Sequence, residues 1–283
     1  MCIDLHTHSI YSDGTATPAE LVRMASANKL QGFSLTDHDT MDGVEEAVTA
    51  GRELGIEVLP GLEISALHHG YSLHILGYGI DPKNPALLHW LKRLQQGRRE
   101  RNRKILEKLA AMGIQISDDE LARLSGKGQT GRPHIARILV SRGYVRTMRE
   151  AFSRYLGRNK PAWQSRFTYT AADTIEMLHQ AGGIAVFAHP GQLDPGMKVQ
   201  PQIIKELVNL KLDGLEIFYP SHTRTMQKRL KSLAGKYNIL ATGGSDYHGS
   251  NRAGNLAGTP GGICPPDSIM REIRNRLPGD IPS

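Results

Sequence analysis

Histidine and carboxylate residues recur directly after short apolar segments of this sequence of 283 residues. The first pair, His6 and His8, closes such a segment in the motif HTHSIYSDG, and residues two apart in a strand point to the same face. Later segments end in TDHD, GLEIS, AHPG and GGSDYHG, and a further histidine lies within YSLHILGY. Imidazole and carboxylate groups without a thiolate suit Mn²⁺, Fe²⁺ or Zn²⁺. The pattern gives nine candidate ligands, enough for three ions with water: His6, His8, Asp13, His38, Glu63, His74, His189, Asp246 and His248.

An alternation of strands and helices is predicted to position these residues. The predicted strands are 2–6, 32–36, 57–64, 71–78, 183–189, 214–219 and 239–243. The predicted helices around them are 17–29, 40–54, 171–181, 201–211, 223–237 and 267–276. Repeated βα units indicate a parallel sheet or barrel, and barrel enzymes carry their chemistry beyond the carboxyl ends of the strands.

Residues 83–166 differ in composition from the rest of the chain. They hold 20 Lys and Arg against 6 Asp and Glu, a net charge of +14, whereas the other 199 residues have a net charge of −7. The stretch has no strand signals and predicts helices at 85–112, 118–124, 133–141 and 147–156. We therefore expect an α/β barrel formed by 1–82 and 167–283, with 83–166 as a basic helical insertion. The insertion is either a clamp for a polyanion or an ordinary solvated helical face.

A glycine-rich loop at 126–131 leads into a helix with Pro133 in its first turn. Its GxGxxG pattern lacks the preceding strand of a dinucleotide-binding fingerprint, so that interpretation is rejected. Because a helix N-terminus attracts anions, we expect Arg132 and His134 to hold a non-reacting phosphate, with Lys127 as a weaker candidate. The alternative is that Arg132 caps the helix and His134 packs inside it.

Taken in order, HTHSIYSDG, TDHD, GLEIS, the later His74, AHP and SDYHG resemble the four-motif signature of the PHP (polymerase and histidinol phosphatase) family. The resemblance covers residues 1–82 and about 167–283. The insertion, with its GRPHIAR motif, resembles the branch that acts on 3′,5′-nucleoside bisphosphates and on the 5′ ends of short RNA. The resemblance implies a distorted (β/α)7 TIM-like barrel with an inserted small all-helical domain. It also implies three divalent ions, with Mn²⁺ expected and Fe²⁺ or Zn²⁺ as alternatives.

The resemblance also implies roles for the ligands. Glu63 bridges two of the ions, and a metal-bound hydroxide held by Glu63, Asp246 and His189 attacks phosphorus in line. The implied ligand groups are His6, His8 and Asp246, with the bridging Glu63; Glu63, His74 and His189; and Asp13, His38 and His248.

The expected function is hydrolysis of the 3′-phosphate of nucleoside bisphosphates, together with 5′-to-3′ removal of nucleotides from short 5′-phosphorylated RNA. The 3′-oxygen is the leaving group in both reactions. The first alternative is a histidinol-phosphate phosphatase. The second is a nucleic-acid-binding protein with a structural PHP body. We expect a nucleotide or short oligoribonucleotide as the partner, and neither a membrane nor an obligate protein partner.

The remaining features concern compartment and supporting residues. Cys2 and Cys264 lie near opposite ends of the sequence without a CxxC motif, which favours a reducing compartment. No run of about 18 apolar residues and no apolar leader is evident, so a cytoplasmic location is expected. Asp37 and Asp39 are expected to support neighbouring ligands or to cap the following helix. Five histidines receive no function: His68, His69, His89, His179 and His222.

Overall fold

Eight strands form one curled sheet within the residues that the structure, a computed structural model, describes, namely 1–125, 128–252 and 254–279. Their order across the sheet is β1-β2-β3-β4-β6-β7-β8, and β5 pairs with β3. A hydrogen bond from Asp246 N to the carbonyl of His6 (2.7 Å) joins the segments that follow β1 and β8. The fold is mixed α/β and consistent with the predicted barrel. The strands are β1 (Ile3–Asp4), β2 (Gly32–Leu35), β3 (Glu57–His68), β4 (Tyr71–Tyr78), β5 (Tyr169–Thr170), β6 (Ile184–Phe187), β7 (Gly214–Phe218) and β8 (Leu240–Gly243).

Strand β4 departs from the predicted parallel arrangement, because it runs antiparallel to both β3 and β6. The prediction of parallel units is wrong here. His69 and Gly70, at φ of 46° and 81°, form a tight turn that joins β3 to β4 without a helix. Antiparallel strands need only such a turn, whereas parallel strands need a long crossover. The hairpin brings His74 on β4 beside Glu63 on β3, while the count of seven βα units stays a prediction.

The predicted helices occur in the predicted order with small shifts at their ends, and one short helix after β6 was not predicted. Helix α1 begins as predicted, with Thr17 and Glu20 in a reciprocal capping box. Helix α2 begins at Val44 rather than at residue 40, because residues 40–43 form a turn before it. None of the described helices is long and apolar enough to cross a lipid bilayer. The helices outside the predicted insertion are α1 (Pro18–Ala27), α2 (Val44–Leu54), α7 (Ala171–Gln180), α8 (Pro190–Leu193), α9 (Gln200–Asn209), α10 (Arg224–Tyr237) and α11 (Ser268–Arg274).

The stretch between β4 and β5 is helical throughout its described secondary structure. Its elements are α3 (Pro85–Ala111), α4 (Asp118–Ser125), α5 (Arg132–Ser141), α6 (Met148–Ala151) and a π-helical turn (Phe152–Leu156). They share an apolar cluster separate from the clusters around the sheet, and its fully buried members include Ile105, Leu109, Ile135, Leu139 and Leu156. The boundaries of a domain at 83 and 166 stay a prediction.

Cys2 and Cys264 are joined by a disulfide, with their Cα atoms 4.9 Å apart, although 262 residues separate them in the sequence. The sequence position of these cysteines, taken above as favouring a reducing compartment, did not predict this disulfide. The sequence contains no sign of the pairing, because β1 and the segment after residue 263 become neighbours only when the sheet forms. Ile3 N donates to the carbonyl of Pro265 there (3.0 Å). The pairing removes one argument for a reducing compartment, and the cytoplasmic location stays a prediction.

Candidate metal centre

The loop after β1 is folded so that His6, His8 and Asp13 reach one side of the sheet. Buried Asp37, which follows β2, accepts hydrogen bonds from Ser9 N (2.8 Å) and from Ser12 Oγ (2.6 Å). Asp37 therefore shapes this loop and supports the ligands, as one of its two predicted roles required, and it does not cap α2, whose N-cap is Gly43.

Glu63 lies at the middle of the candidate ligands and faces five imidazoles. Its Oε1 lies 2.8 Å from His74 Nδ1 and 3.0 Å from His189 Nε2. Its Oε2 lies 3.0 Å from His38 Nδ1, 3.3 Å from His8 Nε2 and 3.4 Å from His6 Nε2. A carboxylate so placed reaches both halves of the cluster, which is the position that a bridging ligand needs.

Asp246 and Asp13 complete the cluster on the other side. Asp246 Oδ1 lies 3.3 Å from His8 Nε2 and 3.5 Å from His6 Nε2. Asp13 Oδ1 lies 3.3 Å from His248 Nε2 and 3.8 Å from His38 Nε2. All nine candidate ligands therefore come together, although they follow different strands.

Four overlapping groups have ligand atoms within 4.8 Å of one another. His6, His8 and Asp246 form a group that matches the first implied ion, whereas Glu63 pairs with His189 in one group and with His74 in another. Because several residues fall in two groups, the division among three ions stays a prediction. The groups are His6, His8 and Asp246; His6, Glu63 and His189; His38, Glu63 and His74; and His8, Asp13, His38 and His248.

Unsatisfied polar atoms test whether these residues fit metal ions. His6 Nε2, His8 Nε2, His38 Nδ1 and Asp13 Oδ1 are buried without a hydrogen-bond partner in the described part of the chain, and all of them face the cluster. An unpaired buried polar atom costs about 1–3 kcal/mol. Divalent ions would satisfy these atoms together, so the donor set fits the implied ions.

The electrostatics of the cluster also call for cations. Burial alone would raise the pKa of Glu63, yet the imidazoles of His74, His38 and His6 hold it well below its usual range. Burial opposes the charged form of His8, yet the carboxylates of Asp246 and Glu63 raise its pKa to about 9. The buried carboxylates thus hold positive charge beside them, which a proton or a metal ion supplies.

Two buried acids that the sequence analysis did not single out orient the cluster. Glu216 in β7 accepts hydrogen bonds from His6 Nδ1 (2.9 Å) and from His189 N (2.7 Å). The first bond places a proton on Nδ1 and leaves Nε2 free to bind an ion. Asp4 in β1 accepts from Ser245 N (2.8 Å), next to Asp246. Their only sequence signal is an acid inside an otherwise apolar strand.

The backbone at three site residues adopts the left-handed region that glycine favours. Asp39, His189 and Asp246 have φ of 56°, 30° and 53°. Such conformations cost about 1–3 kcal/mol each and gather at functional sites, where surrounding contacts hold them. Sharp reversals at these positions turn the side chains that follow β2, β6 and β8 towards the cluster.

A second set of basic residues lines a cavity of about 480 Å³ that also contacts Asp13, His38 and His74. Its arginines are Arg98, Arg101, Arg132, Arg158 and Arg166, and we call this space the arginine cavity. Only Arg132 among them was predicted from the sequence. The available signal was the spacing of Arg98 and Arg101, three apart on the buried face of helix α3.

The arginine cavity contains more positive charge than its protein partners balance. Asp39 accepts from Arg98 Nε (2.6 Å) and from Arg166 Nη1 (2.7 Å), so it anchors arginines rather than capping a helix. Arg101 Nη2 is buried without a hydrogen-bond partner among the described residues. Burial and the neighbouring Arg98 lower the pKa of Arg166 to about 10. This charge excess and the free donor are what a phosphate dianion requires.

The predicted phosphate contacts differ in their placement. Arg132 lines the arginine cavity, and its Nη1 donates weakly to the carbonyl of Leu156 (3.4 Å). His134 is buried inside α5, where its Nδ1 accepts from Gly131 N (3.1 Å), and it does not line that cavity. This placement agrees with the packing alternative for His134. Lys127 lies outside the described residues.

Tyr219 and Arg252 form a polar group at the mouth of the cluster. Tyr219 donates its hydroxyl hydrogen to Asp246 Oδ2 (2.7 Å) and accepts from Arg252 Nη2 (2.7 Å). Arg252 also contacts the Asp246 carboxylate, while about half of its side chain stays exposed. The guanidinium therefore faces the same cavity of about 430 Å³ as His189 and His248.

Comparison with known proteins identifies the family. A sequence model of the PHP domain matches residues 4–157, more than half of the chain. The chain therefore belongs to the PHP family.

Individual relatives match over most of their length. The 3′,5′-nucleoside bisphosphate phosphatase of Chromobacterium violaceum is 36% identical over 279 residues, 97% of each chain. A 5′-3′ exoribonuclease of Haemophilus influenzae is 36% identical over 245 residues, 87% of this chain and 89% of its own. A Bifidobacterium adolescentis protein, assigned as a metal-dependent phosphoesterase, has a structure with a TM-score of 0.89 at 30% identity, covering 98% of this chain and 96% of its own. The chain is thus a hydrolase with PHP relatives of nuclease and phosphatase activity.

Proposed function

We propose that this protein hydrolyses the 3′-phosphate of 3′,5′-nucleoside bisphosphates, for example converting 3′,5′-adenosine bisphosphate to AMP and phosphate. The observation that carries the proposal is the arginine cavity, which adjoins the ligand cluster through Asp13, His38 and His74. A substrate with two phosphates fits a site with a metal-binding cluster for one and a cationic cavity for the other. The Chromobacterium violaceum phosphatase, whose name states the same class of substrate, supports this proposal.

The same arrangement suits the 5′ end of a short RNA. Such an end presents a 5′-phosphate and, one sugar away, a phosphodiester at the 3′-oxygen. Because the 3′-oxygen leaves in both reactions, one site accounts for phosphatase activity and for 5′-to-3′ nucleotide removal. The Haemophilus influenzae exoribonuclease supports this extension.

We assign the nine ligands to three divalent ions, with Mn²⁺ expected and Fe²⁺ or Zn²⁺ as alternatives. Such ions lower the pKa of a bound water and neutralise charge on phosphoryl oxygens. Among the groups of the chain, Glu63, Asp246 and His189 are assigned to holding the attacking water. Arg252 offers its exposed guanidinium to the phosphoryl oxygens, and Glu216 keeps His6 oriented.

The arginine cavity has the complementary task of binding the phosphate that does not react. Arg98, Arg101 and Arg132 come from residues 83–166, the proposed basic helical insertion, and Arg166 lies at its end. Residues 1–82 and 167–283 form the two parts of the proposed PHP barrel. The unpaired Arg101 donor and the repulsion among the arginines both favour a bound dianion.

A side-by-side assay with Mn²⁺ tests the proposal. Phosphate release from 3′,5′-adenosine bisphosphate, AMP and histidinol phosphate is measured together with cleavage of a 5′-phosphorylated dinucleotide. We expect activity on the bisphosphate and on the dinucleotide, and little on AMP. Phosphate release from histidinol phosphate alone would replace our proposal with the histidinol phosphatase, and binding of long RNA without any hydrolysis would point to the nucleic-acid-binding alternative.

A further inference from the structure

A second group of potential metal ligands lies at the tip of the β3–β4 hairpin, outside the nine-residue cluster. His68 Nε2 donates to Glu206 Oε2 (2.8 Å), and His69 Nε2 lies 3.7 Å from the same oxygen. One ligand atom from each residue lies within 4.8 Å of the other two. Neither the proposed reaction nor the arginine cavity uses these three side chains.

The backbone of the turn makes this convergence possible. Neighbouring residues in a strand point to opposite faces, so two adjacent histidines do not normally meet at one point. His69 has a φ of 46°, a left-handed conformation that is uncommon for any residue other than glycine. As a result, the rings of His68 and His69 lie 4.4 Å apart, centroid to centroid, with both Nε2 atoms towards Glu206.

The carboxylate of Glu206, on α9, is oriented by a neighbouring side chain of the same helix. Its Oε1 accepts from Gln202 Nε2 (2.7 Å), one helical turn earlier. A supporting hydrogen bond to a carboxylate is the usual arrangement around a protein metal ligand.

The distances suit a small tetrahedral cation. With metal–ligand bonds of 2.0–2.1 Å, tetrahedral geometry places ligand atoms about 3.3 Å apart. The observed distances of 2.8 and 3.7 Å lie on either side of that value. Two imidazoles favour Zn²⁺ over the more weakly bound Mn²⁺. We propose that His68, His69 and Glu206 bind one Zn²⁺ or a similar transition-metal ion, with water completing its coordination.

Such an ion would fasten the hairpin tip to α9. The hairpin carries Glu63 and His74 of the main cluster, and Leu67, Gly70 and Ser72 near its tip line the arginine cavity. The ion would therefore stabilise one wall of the substrate site without contacting substrate. We therefore expect binding of this ion to raise the melting temperature of the protein.

The test measures zinc bound at equilibrium by the full chain in the presence of a fixed excess of Mn²⁺. Wild type is compared with His69→Asn and Glu206→Gln, and His89→Asn serves as the matched control because His89 is an exposed histidine on α3. Asparagine tolerates the left-handed conformation of residue 69, so the turn is retained. We expect wild type and His89→Asn to bind one zinc ion more than the other two variants. Zinc should also raise the melting temperature of wild type and His89→Asn by more than it raises that of His69→Asn and Glu206→Gln.

Equal zinc stoichiometry in wild type and His69→Asn would overturn the proposal, and so would an equal loss in His69→Asn and His89→Asn. Melting curves without zinc show whether each variant is folded. The measurement does not depend on catalysis, so a failure of the proposed phosphatase activity is distinguishable from a failure of this site.

Discussion

Replacing Arg101 with methionine tests the role of the arginine cavity in substrate binding separately from its contribution to protein stability. Arg101 is buried, and its Nη2 has no hydrogen-bond partner in the described part of the chain. Arg98 and Arg166 repel it, and together with burial they hold its pKa well below the usual range. Methionine retains an unbranched apolar side chain and removes the guanidinium group with its charge.

The size of the effect follows from these contacts. A hydrogen bond to a charged group contributes about 1.5–3 kcal/mol, which corresponds to roughly a 10- to 150-fold change in a binding or rate constant. We therefore expect Arg101→Met to lower kcat/KM for 3′,5′-adenosine bisphosphate by that factor. Removing a buried charge that lacks a full set of partners should leave the melting temperature unchanged or raise it.

The assay compares the bisphosphate with an aryl phosphate, which has no second phosphate to occupy the cavity. Arg101→Met should leave hydrolysis of the aryl phosphate nearly unchanged. The control is Arg99→Met, because Arg99 lies on the exposed face of the same helix and its guanidinium donates to Gln96 Oε1. Equal losses on both substrates, or a clearly lower melting temperature, would refute the assignment of Arg101 to the phosphate that does not react.

The Arg132→Ala variant should likewise lose the preference of the enzyme for 5′-phosphorylated substrates.

Three further predictions concern residues outside the nine candidate ligands. Glu216→Gln should raise the Mn²⁺ concentration that gives half-maximal activity by roughly 10- to 100-fold, because the carboxylate that orients the imidazole of His6 is lost. A Mn²⁺ titration of activity measures this change. Asp39→Asn should lower the free energy of unfolding by on the order of 3–5 kcal/mol in urea, because two buried guanidinium groups lose their counter-charge. The hydrogen bond with Asp213 raises the pKa of His179 above 6.5. The stability from this pair should therefore be complete below pH 6.5 and decline as the pH rises through the higher folded pKa, and His179→Asn should remove that decline.

Each of these expectations has a contradicting outcome. An unchanged Mn²⁺ requirement in Glu216→Gln would mean that His6 keeps its orientation without the carboxylate. Wild-type stability in Asp39→Asn would mean that the arginines find other partners. A wild-type pH profile of the unfolding free energy in His179→Asn would assign the slope to another group.

Local spacing was sufficient to predict the ligand cluster, because each ligand follows or lies in a strand and strand ends meet at one side of a sheet. The acids Glu216 and Asp4 escaped prediction, although each interrupts an apolar strand. The role of such an acid can be assigned only when its hydrogen-bond partner is known. His6 and Ser245 approach these acids from distant parts of the chain.

The arginine cavity was harder to predict for a similar reason. A net charge of +14 indicates a basic surface, but it does not tell which arginines are buried around a single carboxylate. Arg98 and Arg166 meet at Asp39, so the cavity is created by contacts between the helical stretch and the loop after β2. The course of β4 depended on a tight turn whose first left-handed residue, His69, is not a glycine, and the sequence gives little indication of such a conformation.

The candidate ligand cluster joins the first residues of the sheet to some of the last. His6 and Asp246 are 240 residues apart, yet the backbone of one bonds to the backbone of the other (2.7 Å). Contacts of such long sequence separation are slow to form, so the proposed ligand set comes together only after these distant parts of the chain have met. During synthesis a nascent chain lacks two of the nine proposed ligands, Asp246 and His248, until residue 248 has left the ribosome, so the proposed three-ion site cannot be complete before then.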